Sequence, residues 1–252
     1  MEDYKRMSRL RTVPTGVKGL DEMLGGGFPE GRVILLYGGP GAGKTIFSLQ
    51  YLLANVKRGE AGVYVTLEEP LTLIKQNVTS FGWNLEKYEK KNFLKLLDLY
   101  MMPYGESLIM LGRRGIGEEG NEVSSVLSEI KKAVEEVNAK HVVLDPITSI
   151  TIHQPRAGKK RYMVGQIFQS LRNLGCTSIV TMEATPTYGD FYMESFLADG
   201  VLVLEGNLDA NFKFIQTIRI EKMRGLKHDK QPRRYDITEK GLIVYYTEPV
   251  IE

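Results

Sequence analysis

The stretch that decides the fold is Val33-Ile34-Leu35-Leu36-Tyr37, followed by Gly38-Gly39-Pro40-Gly41-Ala42-Gly43-Lys44-Thr45. An uninterrupted apolar run is typical of a strand that is buried on both faces. The glycines let the backbone curl until several N–H groups face one anion, and the helical pattern after Thr45 directs the positive end of a helix to the same anion. In a G-x4-G-K-[ST] loop the lysine reaches the β- and γ-phosphates, and the hydroxyl binds Mg²⁺. The sequence therefore predicts a site for a nucleoside triphosphate.

The composition is that of an ordinary globular chain. Of 252 residues, 42% are hydrophobic, which suffices for a sizeable core, and the net charge of +2 favours no charged partner. Cys176 is the sole cysteine, so no disulfide forms within the chain and a zinc site has no support. The first eleven residues resemble no signal peptide, and no apolar run has the length of a membrane span. We expect a cytoplasmic protein that binds no membrane.

Strand and helix patterns alternate through the first two thirds of the chain, as in α/β proteins with a parallel sheet. The strand patterns cover residues 33–37, 62–67, 93–98, 141–145 and 178–182, with a loop expected at 147–158. Four more, at 200–205, 212–220, 233–237 and 241–246, follow one another without helices and predict an antiparallel extension. We expect one domain over residues 1–252, with an approach segment at 1–32 and a core at 33–252.

Acidic residues stand where two of these strands end, and the carboxyl ends of parallel strands share the edge of the phosphate loop. Asp145 closes one strand and is a candidate Mg²⁺ ligand together with Thr45. The alternative is an aspartate that caps the turn before Pro146. Glu68 and Glu69 close another strand, and one of them could orient the attacking water. The alternative for this pair is two solvated carboxylates before a helix.

The segment from Lys222 to Lys230, followed by Arg233 and Arg234, is the densest basic stretch of the chain. A long cation at a strand end can stabilise charge on a transferring phosphoryl group, either in its own subunit or in a neighbour. A solvated hairpin turn and a nucleic-acid patch are equally consistent with the residues. The chemistry of the residues does not choose among these three.

Together these stretches resemble the KaiC-like branch of the RecA/RadA superfamily of P-loop ATPases, over nearly the whole chain. The segments that carry the resemblance are Thr15-Gly16 through Leu20-Asp21, Leu24-Gly25-Gly26-Gly27, the phosphate loop, Glu68-Glu69, the strand that ends at Asp145, and Lys222-Met223-Arg224-Gly225 with His228-Asp229. The resemblance implies an α/β fold of RecA type, a three-layer sandwich around a mostly parallel sheet with C-terminal antiparallel strands. It also implies a single KaiC-type domain.

The resemblance further implies rings, usually homohexamers, with ATP and Mg²⁺ bound between subunits. Glu68 would then be the catalytic base, with Glu69 in support. Lys44 would act on the phosphates within the subunit, and Lys222 and Arg224 would reach them from the neighbour. The residues implied to bind the nucleotide are Gly38, Gly39, Pro40, Gly41, Ala42, Gly43, Lys44, Thr45 and Ile46 on one side, and Lys222, Met223, Arg224, His228 and Thr238 on the other.

Two departures bear on activity. The autokinase half of the family's clock protein has a Ser-Thr pair shortly before Ile-Thr-Asp, whereas this chain has Ser195 and then Phe196. Autophosphorylation by the same route is therefore in doubt. Leu226 also stands where a small hydroxyl residue commonly follows Arg-Gly.

We expect an ATP-hydrolysing, ring-forming switch that couples nucleotide state to an unidentified protein partner. One alternative is an autokinase. Another is a DNA-binding, recombinase-like protein that uses the loops at 149–160 and 184–195. Basic residues there could bind phosphates and aromatic residues could stack on bases: Arg156, Lys159, Lys160 and Arg161, then Tyr188, Phe191 and Tyr192. For these loops we favour a ring-lining or protein-contacting role over nucleic acid.

Overall fold

The phosphate loop leaves the central strand of a large mixed sheet. The computed structural model describes residues 10–100, 121–152, 154, 156–183, 193–208 and 212–248. Its strands are β1 (Thr12–Val13), β2 (Phe28–Pro29), β3 (Val33–Gly38), β4 (Gly62–Thr66), β5 (Leu94–Asp98), β6 (His141–Asp145), β7 (Thr177–Met182), β8 (Gly200–Leu208), β9 (Phe214–Met223), β10 (Arg233–Thr238) and β11 (Gly241–Val244). The first two strands pair with each other, and the other nine form one sheet in the order β11-β10-β9-β8-β3-β7-β6-β4-β5.

The six strands from β8 to β5 in that order are parallel, so the sheet has two chemically distinct edges. We call the edge where β3, β4, β6 and β7 end the carboxyl edge, and the opposite edge, where they begin, the amino edge. Strands β9, β10 and β11 add on in antiparallel fashion. The predicted α/β fold with a mostly parallel sheet and an antiparallel C-terminal extension is confirmed.

Helices cover both faces of the sheet. They are α1 (Leu20–Leu24), α2 (Lys44–Val56), α3 (Leu71–Val78), α4 (Leu85–Glu89), α5 (Asn121–Val137), α6 (Thr148–Thr151), α7 (Ala157–Asn173) and α8 (Met193–Leu197), with a 3₁₀ turn at Thr79–Phe81. Alternate residues of β3 feed two cores. Ile34 and Leu36 pack with α1 to α4, and Val33 and Leu35 pack with α5 and α7. Burial on both faces explains the unbroken apolar run.

The predicted loop at 147–158 is wrong in part. Helix α6 lies inside it, and α7 already begins at Ala157. Lys159 and Lys160, which the DNA-binding alternative assigns to a loop at 149–160, therefore stand on a helix. The sequence suggested a later start because the buried face of α7 begins only at Val164. Gly158 interrupts the helical pattern in the residues before Val164, although the first turn of a helix tolerates glycine.

Two sequence expectations fall outside the described residues. These are the character of residues 1–9 and the base-stacking role of Tyr188, of Phe191 and of Tyr192. Within the described residues, no helix is both long and apolar enough to cross a membrane.

Candidate functional site

The phosphate loop presents a row of backbone amides to the carboxyl edge. Gly43, with φ of 87°, precedes α2, and no side chain caps the first turn of that helix. The amides of Lys44, Thr45 and Ile46 have no partner within the helix, which makes this helix start an anion site. The positive φ favours glycine at this position, and a Cβ built there would lie 2.7 Å from Ile237 Cδ1, so a larger residue would also have to displace the end of that side chain.

Strand β10 supports the loop from behind. The Tyr235 hydroxyl donates to the Ala42 carbonyl at 2.8 Å and is fully buried. Lys44 folds over the loop, where its Nζ donates to the carbonyls of Gly38 at 2.8 Å and Gly39 at 3.2 Å. The ammonium group is therefore held in the curve that the loop makes for phosphate.

Asp145 is held by three hydroxyl groups. Its Oδ2 accepts from Thr45 Oγ1 at 2.8 Å and from the Tyr64 hydroxyl at 2.7 Å, and its Oδ1 accepts from Thr181. Burial, followed by the charge of Asp145, raises the pKa of Tyr64 well above its ordinary value, so this hydroxyl remains a donor. None of these described bonds caps the turn at Pro146. A carboxylate beside a threonine hydroxyl supplies the hard oxygen ligands that suit Mg²⁺.

Glu68 and Glu69 leave the sheet at a bend, because β4 ends at Thr66. The strand predicted at 62–67 therefore ends one residue early, and the pair follows the strand instead of closing it. Both line a cleft of about 390 Å³ together with Lys44, Thr45 and Asp145. The two carboxylates differ in their partners. Glu69 Oε1 accepts from Asn77 Nδ2 at 2.9 Å, whereas Glu68 has no such bond among the described residues.

Burial raises the pKa of Glu68, and the negative charges of Glu183 and Asp145 add to this effect while Lys44 opposes it. Burial also raises the pKa of Glu69. A carboxylate whose pKa is raised is a better proton acceptor when ionised, and raised values of this kind concentrate at functional sites. Of the two, Glu68 is the carboxylate free to meet a water molecule in the cleft.

Sequence reasoning missed Glu183. It follows β7 directly, lines the same cleft, and donates its backbone N–H to Thr148 Oγ1 at 2.9 Å. The rule that singled out Asp145, an acidic residue after an apolar strand pattern, applies equally to Glu183 and would have found it.

Lys222 and Arg224 lie at the amino edge, away from the phosphate loop of their own subunit. Met223 pairs with Gly200, which pairs in turn with Ile34. The four residues from there to Gly38 span about 13 Å of strand. The Arg224 guanidinium also points elsewhere, since Nη2 donates to the Phe196 carbonyl at 3.0 Å.

The five residues predicted to contact the nucleotide from the neighbouring subunit therefore fall into two groups, with Thr238 apart from the other four. Lys222 donates to the Ser195 carbonyl, and burial, followed by the positive charge of Arg224, lowers its pKa to about 8. Met223 is buried in the core, and His228 is half-buried with Nδ1 3.3 Å from the Leu226 carbonyl.

Thr238 lies apart from this group. It follows Ile237 on β10, the strand behind the subunit's own loop, and its hydroxyl donates to the Gly241 carbonyl at 2.8 Å.

The basic residues considered for nucleic acid are partly engaged within the subunit. Lys160 pairs with Glu194 at 3.0 Å, and that carboxylate is only 3% exposed. An ion pair with a buried carboxylate neutralises the charge that a phosphate contact would need.

The loop, the carboxylate at the end of β6 and the mostly parallel sheet together define a nucleotide-binding P-loop protein of RecA-like fold. A family model described as "ATPase: KaiC" matches residues 13–249, and the chain belongs to this family.

Known proteins agree with this assignment. A UPF0273 protein of Pyrococcus horikoshii is 36% identical over 239 residues, which cover 93% of this chain and 94% of that protein. The circadian clock protein KaiC3 of Synechocystis is 32% identical over 93% of this chain, which corresponds to 46% of KaiC3. The crystal structure of a KaiC-like protein of Pyrococcus horikoshii OT3 superposes with a TM-score of 0.79 at 33% identity, over 94% of this chain and all of that one.

Proposed function

We propose that this protein hydrolyses Mg²⁺·ATP at sites formed between subunits of a homohexameric ring, and that the nucleotide state switches its binding to a protein partner. The observation that carries the proposal is the separation of Arg224 from the phosphate loop. The cations that would stabilise the transferring phosphoryl group lie at the wrong edge of the sheet to serve their own subunit. They serve a second copy, whose carboxyl edge meets this amino edge.

The loop from Gly38 to Ile46 binds the phosphates through its amides, and Lys44 neutralises their charge. Thr45 and Asp145 hold Mg²⁺, which, when bound, shields the phosphate oxygens and neutralises charge that develops on them. Glu68 orients the attacking water and accepts its proton. Glu69, which accepts a hydrogen bond from Asn77, contributes negative charge beside Glu68. Lys222 and Arg224 of one subunit stabilise the phosphoryl charge in the next.

The test has two measurements on the purified chain. Phosphate release reports ATP hydrolysis, and light scattering with and without Mg²⁺·ATP reports the size of the assembly. Glu68→Gln should lower kcat by at least 100-fold while the protein still binds ATP. Glu86→Gln, on the exposed side of α4, is the matched control and should leave hydrolysis intact. Equal rates in both variants would refute the role of Glu68, and a monomer under all conditions would refute the ring.

An autokinase is the second candidate, because Ser195 shares the amino edge with Lys222 and would face the neighbour's nucleotide. Its hydroxyl, however, donates inward to Tyr37 at 3.1 Å. Mass spectrometry after incubation with Mg²⁺·ATP tests it, and an unmodified Ser195 would rule this candidate out. The DNA-binding hypothesis predicts salt-dependent binding to single strands that is lost when Lys159 and Arg161 are neutralised.

A further inference from the structure

The C-terminal end of α8 is covered by three cations from two other parts of the chain, helix α7 and the end of β9. The last carbonyls of a helix have no partner within it and carry partial negative charge. Here each of three successive carbonyls accepts from one cation: Ser195 from Lys222 Nζ, Phe196 from Arg224 Nη2 at 3.0 Å, and Leu197 from Arg172 Nη2 at 2.5 Å. Two of the three cations are the ones proposed to act on the neighbour's phosphates.

Asp199, 4% exposed, ties this group to the central strand. Its Oδ2 accepts from the Val33 amide at 3.1 Å and from Arg172 Nε at 2.9 Å. Its Oδ1 lies 3.7 Å from Arg224 Nη1, and its backbone carbonyl accepts from the Arg224 amide at 2.9 Å. One residue thus fixes both the backbone and the guanidinium of Arg224 relative to β3.

We infer that Asp199 is a positioning residue for hydrolysis in the neighbouring subunit, because it and the carbonyl end of α8 hold Arg224 and Lys222 at the amino edge, ready for phosphate. The inference rests on the proposed function. Two adjacent cations repel each other, and a fixed carboxylate offsets this repulsion. Neutral carbonyls are weaker acceptors than phosphate, so the cations can move to the nucleotide from an already ordered arrangement, which reduces the entropy lost on the way to the transition state.

The experiment compares Asp199→Asn, Arg224→Ala and the double variant in the full-length protein. Asparagine keeps an oxygen for the Val33 amide and removes the charge that faces Arg224. We expect kcat to fall about 10- to 100-fold in Asp199→Asn, with KM for ATP and the oligomeric state unchanged. In the double variant we expect no loss beyond that of Arg224→Ala, because Asp199 acts through Arg224. Asp236→Asn, which removes the carboxylate of an exposed arginine pair, is the matched control.

The outcomes separate the two levels of the argument. If Arg224→Ala hydrolyses ATP normally, the proposed function fails. If Arg224→Ala is impaired but Asp199→Asn is not, or if the losses multiply in the double variant, the positioning role is wrong and the proposed function stands. Should Asp199→Asn not fold, Arg172→Gln is measured instead. It keeps a donor for the Leu197 carbonyl, removes the charge paired with Asp199, and must lower kcat without changing KM.

Discussion

The placement of Lys44 and Arg224 at opposite edges of the sheet leads to a quantitative prediction for mixed assemblies. Lys44→Ala disables the phosphate loop, and Arg224→Ala removes a cation at the amino edge. Each variant alone should be inactive, because the loss of an arginine that stabilises a transferring phosphoryl group costs about 10³- to 10⁵-fold in kcat. If every site joins the loop of one subunit to the cations of the next, mixing the two variants restores some sites.

The expected recovery follows from the geometry. In an equal mixture half of the loops are intact and, independently, half of the amino edges are intact. About a quarter of the sites therefore have both, and the activity of the mixture should rise from background to about 25% of the unmodified protein. A cation that acted within its own subunit would give no recovery, because no subunit in the mixture has both residues.

The assay is phosphate release from ATP after co-expression of the two variants with different affinity tags and sequential purification through both. The negative control mixes Lys44→Ala with Glu68→Gln. Both defects lie at the carboxyl edge of a subunit, so no mixed site is complete and activity should stay at background. Doubly tagged Lys44→Ala and Arg224→Ala assemblies without recovered activity would refute the division of the site between subunits.

Three further predictions concern single side chains. Since the pKa of Lys222 is lowered to about 8, the charged form is lost as the pH rises through that value, so kcat/KM should fall above about pH 8, and Lys222→Arg should remove this decline in a pH–rate profile. Burial lowers the pKa of His141 below 6.5, so the unfolded chain binds more protons in acid. The free energy of unfolding should therefore fall as the pH drops through 6.5, by up to about 1.4 kcal/mol per pH unit, and urea unfolding of His141→Gln should show less of this dependence. Tyr235→Phe leaves the Ala42 carbonyl without its hydroxyl donor, which should cost about 1–2 kcal/mol, lower Tm by about 2–8 °C in calorimetry and weaken ATP binding.

The parts of the site that are local in sequence could be predicted. The loop, β3 and α2 follow from consecutive residues whose glycines, lysine and apolar spacing each have one structural interpretation. Asp145 could be placed because it closes an apolar run and parallel strands end at one edge. Thr45 could be placed beside it, since both are expected to bind Mg²⁺. The hydroxyl partners Tyr64 and Thr181 could not, since they reach Asp145 only through the strand order, which the sequence does not encode locally.

The division of the neighbour contacts depends on strand direction. Lys222 and Thr238 are sixteen positions apart, and the family resemblance implies that both contact the nucleotide from the neighbouring subunit, which groups them on one surface. Strand β9 runs antiparallel to β8, and β10 reverses direction again, which sends the two residues toward opposite edges. That reversal follows from hairpin topology, and it could have been worked out from the predicted antiparallel extension.

The opposite placement of the loop and the cations also gives the proposed assembly a polarity. Each copy carries one half of a site at its carboxyl edge and the other half of a different site at its amino edge. An open row of copies therefore always leaves a phosphate loop without cations at one end and a pair of cations without a loop at the other. A dimer then has one complete site for two subunits, and longer rows approach full occupancy without reaching it. Only closure removes the ends. ATP turnover per subunit should therefore rise with assembly size and level off when the ring closes. The rate per subunit thus reports the number of copies in the assembly.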